Sequence, residues 1–242
     1  MACHTEDKKD AVPYAGGREL KTPFGKFYGP NITPDPEAGI GKWTETDFVR
    51  AMRHGERPDG ANYFPAFPYP SFTRISDADL RDLWAYLRSL PPGKRASQPH
   101  ELRFPFGWRA LVAGWKWLYF TPGTGAGAPA APATARGEYL VQALGHCGEC
   151  HTPRNIFMVR DDTRAFAGGP HPEGEGRVPS LRGLIERQRY KDAQDLVSAM
   201  QFGETYGYDK LSSGGMGAVQ ANLAKLPDAD VQAIAEYLVS LK

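Results

Sequence analysis

The chain has 242 residues, beyond the usual domain mode of roughly 100–150, so one large domain or two small ones are the options. Its 29 basic and 28 acidic residues leave a formal charge of +1, without the basic excess that a nucleic-acid binder carries. Three cysteines are too few for a disulfide framework, and no apolar run reaches the roughly 18 residues of a membrane span.

Cys3-His4-Thr5 stands at the start and recurs as Cys150-His151-Thr152. Thr44-Glu45-Thr46-Asp47 reads as a capping box with Asp47 in the usual Glu position, opening a helix that Gly55 can end. Ser76 opens a second helix, with Leu80, Leu83, Trp84, Leu87 and Leu90 on one face and Pro91-Pro92 as its stop. Between 104 and 120, Trp108, Leu111, Val112, Trp115, Leu118 and Tyr119 fall at helical spacing. Arg109 and Lys116 interrupt them, so this connector helix is expected to pack across both halves or to dock a partner. The Gly-, Ala- and Pro-rich stretch 121–134 reads as a flexible linker. Asp228 opens the last helix, with Val231, Ile234, Ala235, Leu238 and Leu241 as its buried stripe. No alternating strand pattern is evident, and each half reads as mainly α.

Two further segments recur. The run 47–55 matches 195–203, including Asp47/Asp195, Ala51/Ala199, Met52/Met200 and Gly55/Gly203. Asp77-Ala78-Asp79-Leu80 matches Asp228-Ala229-Asp230-Val231, continuing into Tyr86-Leu87 against Tyr237-Leu238. Order is kept while the offset drifts slightly, as in a duplicated domain with loop insertions.

Cys147-Gly148-Glu149-Cys150-His151 is the attachment pattern of c-type haem. Two thiols one helical turn apart can each join a vinyl group of one porphyrin, and the adjacent imidazole then reaches the iron. A redox dithiol would expect a βαβ setting, and a structural zinc site would need four convergent ligands. Met216, between Gly215 and Gly217 and ahead of the last helix, is the expected distal ligand of this haem, because a thioether favours Fe(II). Met200 and its counterpart Met52 read as packing. The first copy holds only Cys3 and His4 of the pattern, so the chain reads as trimmed within its motif. Phe67 lies where a distal methionine is expected. A phenylalanine cannot bind iron, so the distal side of haem 1 has no ligand assigned; Met52, His54 and Tyr69 are weaker substitutes.

The segments Gly29-Pro30-Asn31-Ile32-Thr33-Pro34-Asp35, Gly39-Ile40-Gly41-Lys42-Trp43-Thr44 and Phe64-Pro65-Ala66-Phe67-Pro68-Tyr69 resemble the multihaem cytochrome c subunits of periplasmic and membrane-bound dehydrogenases. These serve alcohol-, aldehyde-, gluconate- and N-heterocycle-oxidising enzymes. Arg136-Gly137-Glu138-Tyr139-Leu140 and the run 145–155 are similar to the family's second domain. Many members carry methionine in place of Phe67, and many have a third haem domain.

The resemblance implies two tandem class I cytochrome c domains, 1–92 and 136–242, joined by a connecting helix and linker over 93–135. It implies two haem c groups held through Cys3, Cys147 and Cys150, with His4 and His151 on iron. The function it implies is a periplasmic electron relay, not an enzyme, from a dehydrogenase to an oxidase or a soluble cytochrome. Membrane association is expected only through a partner or an anchor outside this chain. The open side of haem 1 also suggests a dihaem peroxidase-like enzyme as the alternative. Asn31 and Arg154 are candidates for the haem propionates, or for plain surface solvation. Trp43, Phe48, Trp84 and the C-terminal helices are expected to pack on the macrocycles.

Overall fold

The computed structural model describes residues 3–124, 133–172, 176–203 and 216–242. The chain divides into two compact units, Met1–Gly127 with His171–Gly176, and Ala128–Pro170 with Arg177–Lys242.

In the first unit α1 (Glu45–His54) begins on the expected capping box. Thr44 Oγ1 accepts the Asp47 amide while the Asp47 carboxylate accepts the Thr44 amide. Gly55 ends it in the left-handed region, at φ 62°. A short helix, α2 (Tyr69–Phe72), follows the run of prolines, and α3 (Asp77–Ser89) is capped by Ser76, whose hydroxyl accepts from the Asp79 amide. Leu80 and Leu87 of α3 are buried with Phe48, Ala51 and Met52 of α1, and Trp84 stacks on Phe48 at 5.3 Å. Arg53 ties the two helices together. Its buried guanidinium donates to the carbonyls of Thr73 and Ile75 and reaches Asp77 at 2.6 Å. The connector forms α4 (Arg109–Tyr119), within the expected span.

Short strands accompany the helices, where the sequence showed no alternating pattern. β1 (Glu19–Thr22) and β2 (Gly25–Tyr28) form an antiparallel hairpin, and β3 (Glu101–Leu102) adds to its second strand. Only Phe27 of the hairpin strands is buried, so four-residue strands left no alternation to read. Gly25 sits at φ 126°, and a Cβ there would lie 2.3 Å from the Glu101 carbonyl oxygen, so the third strand needs a glycine opposite it.

The second unit begins with α5 (Ala133–Tyr139), so helix starts inside the stretch read as linker; residues 125–132 of that stretch lie outside the described residues. One turn of π-helix, Leu140–Leu144, leads to α6 (Gly148–His151). After the small pair β4 (Gly169–Pro170) and β5 (Arg177–Val178) come α7 (Ala193–Phe202), α8 (Met216–Leu223) and α9 (Asp228–Ser240). The core gathers Leu140, Val141, Leu196, Met200, Val231, Ile234 and Leu238, so the expected α9 stripe is buried down to Leu238, with Leu241 packed beside it. Met200 and Met52 are buried within helices, as packing residues. Arg136 forks onto Asp230 at 2.9 and 3.0 Å, tying α5 to α9.

Candidate functional site: two cysteine–histidine frames

The two Cys-His sequences are held by the same hydrogen bonds in the two units. His4 Nδ1 lies 2.8 Å from the Pro30 carbonyl oxygen, and His151 Nδ1 lies 2.8 Å from that of Pro179. A carbonyl can only accept, so the proton sits on Nδ1 and the Nε2 lone pair is left for a metal. Burial lowers the pKa of both imidazoles below the usual histidine value, which keeps them neutral, as ligands must be.

The surrounding backbone repeats as well. The Gly16 amide donates to the His4 carbonyl and the Gly168 amide to that of His151, each at 2.8 Å. Thr5 and Thr152 hydroxyls accept the amides of Tyr14 and Phe166, each at 3.0 Å. Tyr14 and Phe166 both take a left-handed backbone, at φ 63° and 61°. A Cβ on Gly16 would come within 2.7 Å of the Gly29 carbonyl oxygen, and one on Gly168 within 2.6 Å of the Val178 oxygen. Both glycines let the segment carrying the proline carbonyl approach the histidine. The likeness stands in the sequence as well, where Tyr14-Ala15-Gly16-Gly17 matches Phe166-Ala167-Gly168-Gly169.

Cys147, Cys150 and His151 share one turn, with the His151 amide donating to the Cys147 carbonyl at 2.9 Å. Cys3 and Cys150 are exposed, whereas Cys147 packs against the core, and burial pushes its thiol up to about 11. A redox dithiol depends on a lowered thiol pKa, so this environment speaks against that reading. Among the described residues no group of three or more His, Cys, Asp or Glu side chains is placed to hold a metal ion, so the zinc reading finds no donor set there.

Glu149, between the two cysteines, is gripped from two sides. Arg154 Nη2 donates to its carboxylate at 2.5 Å and Arg160 Nη1 at 3.0 Å, while Arg154 also holds the carbonyls of Glu149 and Met158. Arg154 is therefore not the surface-solvated side chain that was one option. Asn31 is a correction of the same kind. It is buried, its amide donates to Gly93 and Arg95 carbonyls, and its oxygen accepts from Thr33, leaving no edge for a propionate. Among the described residues two buried polar atoms lack a hydrogen-bond partner, Tyr69 Oη in the first unit and Arg154 Nε in the second. Arg154 holds the turn that carries Cys147 and Cys150, so its unmet Nε lies beside that Cys-His frame and suits a bound group with a polar edge. The residues present thus fit a covalent haem.

Phe67 is half-buried among the rings of Tyr63, Tyr69 and Phe72, with centroids 5.2, 6.4 and 5.6 Å away. Burial raises both tyrosine hydroxyls, that of Tyr63 to about 12, so neither accepts a proton near neutrality, as peroxide activation would require. Met216 is the first residue of α8, ahead of the last helix but itself helical rather than in a loop; residues 212–215 before it lie outside the described residues.

Residues 1–91 match the model of the cytochrome c family. A dihaem c-type cytochrome of Cereibacter sphaeroides is 46% identical over 93% of this chain and 74% of its own length. The cytochrome c subunit of the quinone alcohol dehydrogenase of Gluconobacter oxydans is 36% identical over the whole chain, which spans 52% of that subunit. The cytochrome c subunit of the gluconate 2-dehydrogenase of Pantoea cypripedii is 37% identical, again over the whole chain, which spans 56% of it.

Proposed function

Because this chain belongs to the cytochrome c family, among its dihaem members and the cytochrome subunits of dehydrogenases, we propose that it relays single electrons from a periplasmic dehydrogenase to an oxidase or a soluble cytochrome. Two haem c groups serve as the carriers in this reading, one in each of two tandem cytochrome domains covering 1–92 and 136–242. When bound, each iron porphyrin supplies a one-electron couple.

The chain's residues hold and tune those groups. Cys147 and Cys150 form the thioethers of haem 2 and Cys3 a thioether of haem 1. His151 and His4 present Nε2 to the irons, with Nδ1 fixed by Pro179 and Pro30. That second bond orients the ring and raises the basicity of the ligating nitrogen. Met216 would offer its thioether sulfur to the iron of haem 2, a ligand type that raises the reduction potential. Phe67 offers no donor to haem 1, and the distal ligand of that haem is left unassigned. Glu149, Arg154 and Arg160 fix the attachment turn.

The observation that carries the proposal is the doubled frame, the same His–Pro bond at 2.8 Å with the same threonine and glycine contacts in each unit. Intact mass and oxidised and reduced optical spectra, on protein matured in a host that attaches haem, test it. The expected result is two haem additions, with the thioether–Fe(III) band of the red region lost in Met216→Ala. A single haem addition, or a band indifferent to Met216→Ala, overturns the corresponding assignment.

A further inference from the structure

Three charged side chains close on one another at the turn that carries Cys147 and Cys150. The Glu149 carboxylate, between the two cysteines, accepts from Arg154 Nη2 at 2.5 Å and from Arg160 Nη1 at 3.0 Å, and all three side chains are largely buried. One anion thus answers two cations. Asp162 also reaches Arg160, but at 3.5 Å and with 67% of its side chain exposed, so water screens most of its charge. Among the described residues the buried set therefore sums to one positive charge. Arg154 Nε, inside the set, has no acceptor.

The first copy has no equivalent. Aligning Cys3-His4-Thr5 on Cys150-His151-Thr152 puts Ala2 at the place of Glu149 and Asp7 at the place of Arg154. Asp7 pairs with Arg18 in solvent, its side chain 88% exposed. The bonds that fix His4 and His151 are the same in the two units, so the proximal frames do not set the two centres apart, whereas this cluster does.

Holding a turn does not require buried charge, since apolar side chains of similar volume do so at no desolvation cost. What a buried net charge adds is a field. Away from water it acts on a neighbouring one-electron centre with little screening, because the local dielectric is low. Reduction of Fe(III) to Fe(II) takes one positive charge from the centre, so a fixed cation nearby favours the reduced form.

We propose that the Glu149–Arg154–Arg160 cluster keeps one net positive charge against the attachment turn and so raises the reduction potential of haem 2 above the value its axial ligands alone would set. The proposal rests on the reading of Cys147, Cys150 and His151 as the attachment site of that haem.

Redox titration of the holoproteins, resolving two midpoints, tests it by counting charge. Glu149→Gln takes the cluster from one positive charge to two and should raise one midpoint. Arg160→Met takes it to zero and should lower the same midpoint. Each shift should be on the order of tenfold in the ratio of Fe(II) to Fe(III) at a fixed potential, about 59 mV for one electron. The double variant Glu149→Gln/Arg160→Met restores one positive charge and should return close to the parent. A purely structural role predicts otherwise, because both single variants loosen the turn and the double variant loosens it further. Single variants that shift in the same direction, midpoints that do not move, or a double variant displaced as far as either single one overturn the proposal. If Glu149→Gln does not mature, Arg160→Met against Arg160→Lys carries the test: the lysine keeps the charge and should keep the midpoint, and equal shifts in both overturn the proposal. Intact mass of the same samples reports the attachment. A parent without haem at Cys147 and Cys150 overturns the underlying reading, whereas loaded variants with unmoved midpoints overturn this proposal alone.

Discussion

Arg53 Nη2 lies 2.6 Å from Asp77 Oδ1, joining the last turn of α1 to the first residue of α3. The second unit makes the same link more weakly, from Gln201 Nε2 to Asp228 Oδ1 at 2.8 Å. Arg53 is 7% exposed and also satisfies two carbonyls, so Arg53→Met leaves Thr73 and Ile75 oxygens without their donor and should cost about 2–3 kcal/mol. Gln201→Ala, at an exposed bond, should cost no more than about 0.5 kcal/mol. Guanidinium unfolding of the two holoproteins compares them. Equal losses would show that the buried carbonyls do not depend on Arg53.

Glu149 stands between the two cysteines with its side chain 11% exposed, and Arg154 and Arg160 are nearly as buried, at 18% and 16%. Neutralising one member of such a cluster leaves two cations facing each other out of water. Glu149→Gln should therefore cost about 3 kcal/mol. The triple variant Glu149→Gln/Arg154→Met/Arg160→Met should recover part of that loss, because the unpaired charges go with it. Denaturation midpoints of the haem-loaded proteins decide it. A triple variant that sums three independent losses contradicts the coupling.

What was legible in the sequence was what neighbours decide. Thr44 and Asp47 are three residues apart, and Gly55 ends the helix that they begin, so α1 could be read locally with both caps. The repeat also made α7 and α9 readable from α1 and α3. The hairpin was not legible, because its register rests on β3, some 70 residues further along the chain, and its turn at Pro23-Phe24 lacks the usual Asn-Gly or Asp-Gly chemistry. Surface solvation, one of the two options for Asn31 and Arg154, fails for a related reason. Composition marks both as surface residues, whereas their partners, Gly93 and Arg95 for one and Glu149 and Met158 for the other, are set by tertiary folding. The proline carbonyls opposite His4 and His151 were likewise hidden, since a backbone acceptor leaves no side-chain signature.

Gly137 of α5 faces α9 so closely that a Cβ would lie 2.0 Å from the Ala233 carbonyl oxygen and 2.8 Å from Tyr237 Cβ. The obstacle is backbone, so the helices themselves must part. Gly137→Ala should cost about 1–3 kcal/mol despite the better helix propensity of alanine. Gly114 of α4 is the control, with nothing within 4 Å of its would-be Cβ. Gly114→Ala should stabilise by up to about 1 kcal/mol. Thermal melts of both variants give the signs. A Gly137→Ala protein as stable as the parent would mean that α5 does not cross α9 this tightly.

His100 Nδ1 accepts the Tyr28 amide at 3.2 Å, with its ring against Phe27 and Phe64 at 5.1 and 5.7 Å. Burial, and then the nearby charges of Arg109 and Arg57, lower its pKa below the ordinary histidine value of 6.5. Protonating Nδ1 also breaks the bond to Tyr28. Between the folded and unfolded pKa values the unfolded chain binds the extra proton, so this contribution is present above about 6.5 and is lost as the pH falls toward the folded value. Replacing the ring by His100→Asn keeps a hydrogen-bond acceptor that does not titrate there. The parent should then lose more melting temperature than His100→Asn between about pH 7.5 and about pH 5.5. Parallel losses in the two proteins would assign the acid sensitivity to other groups and leave the His100–Tyr28 bond without a role in it.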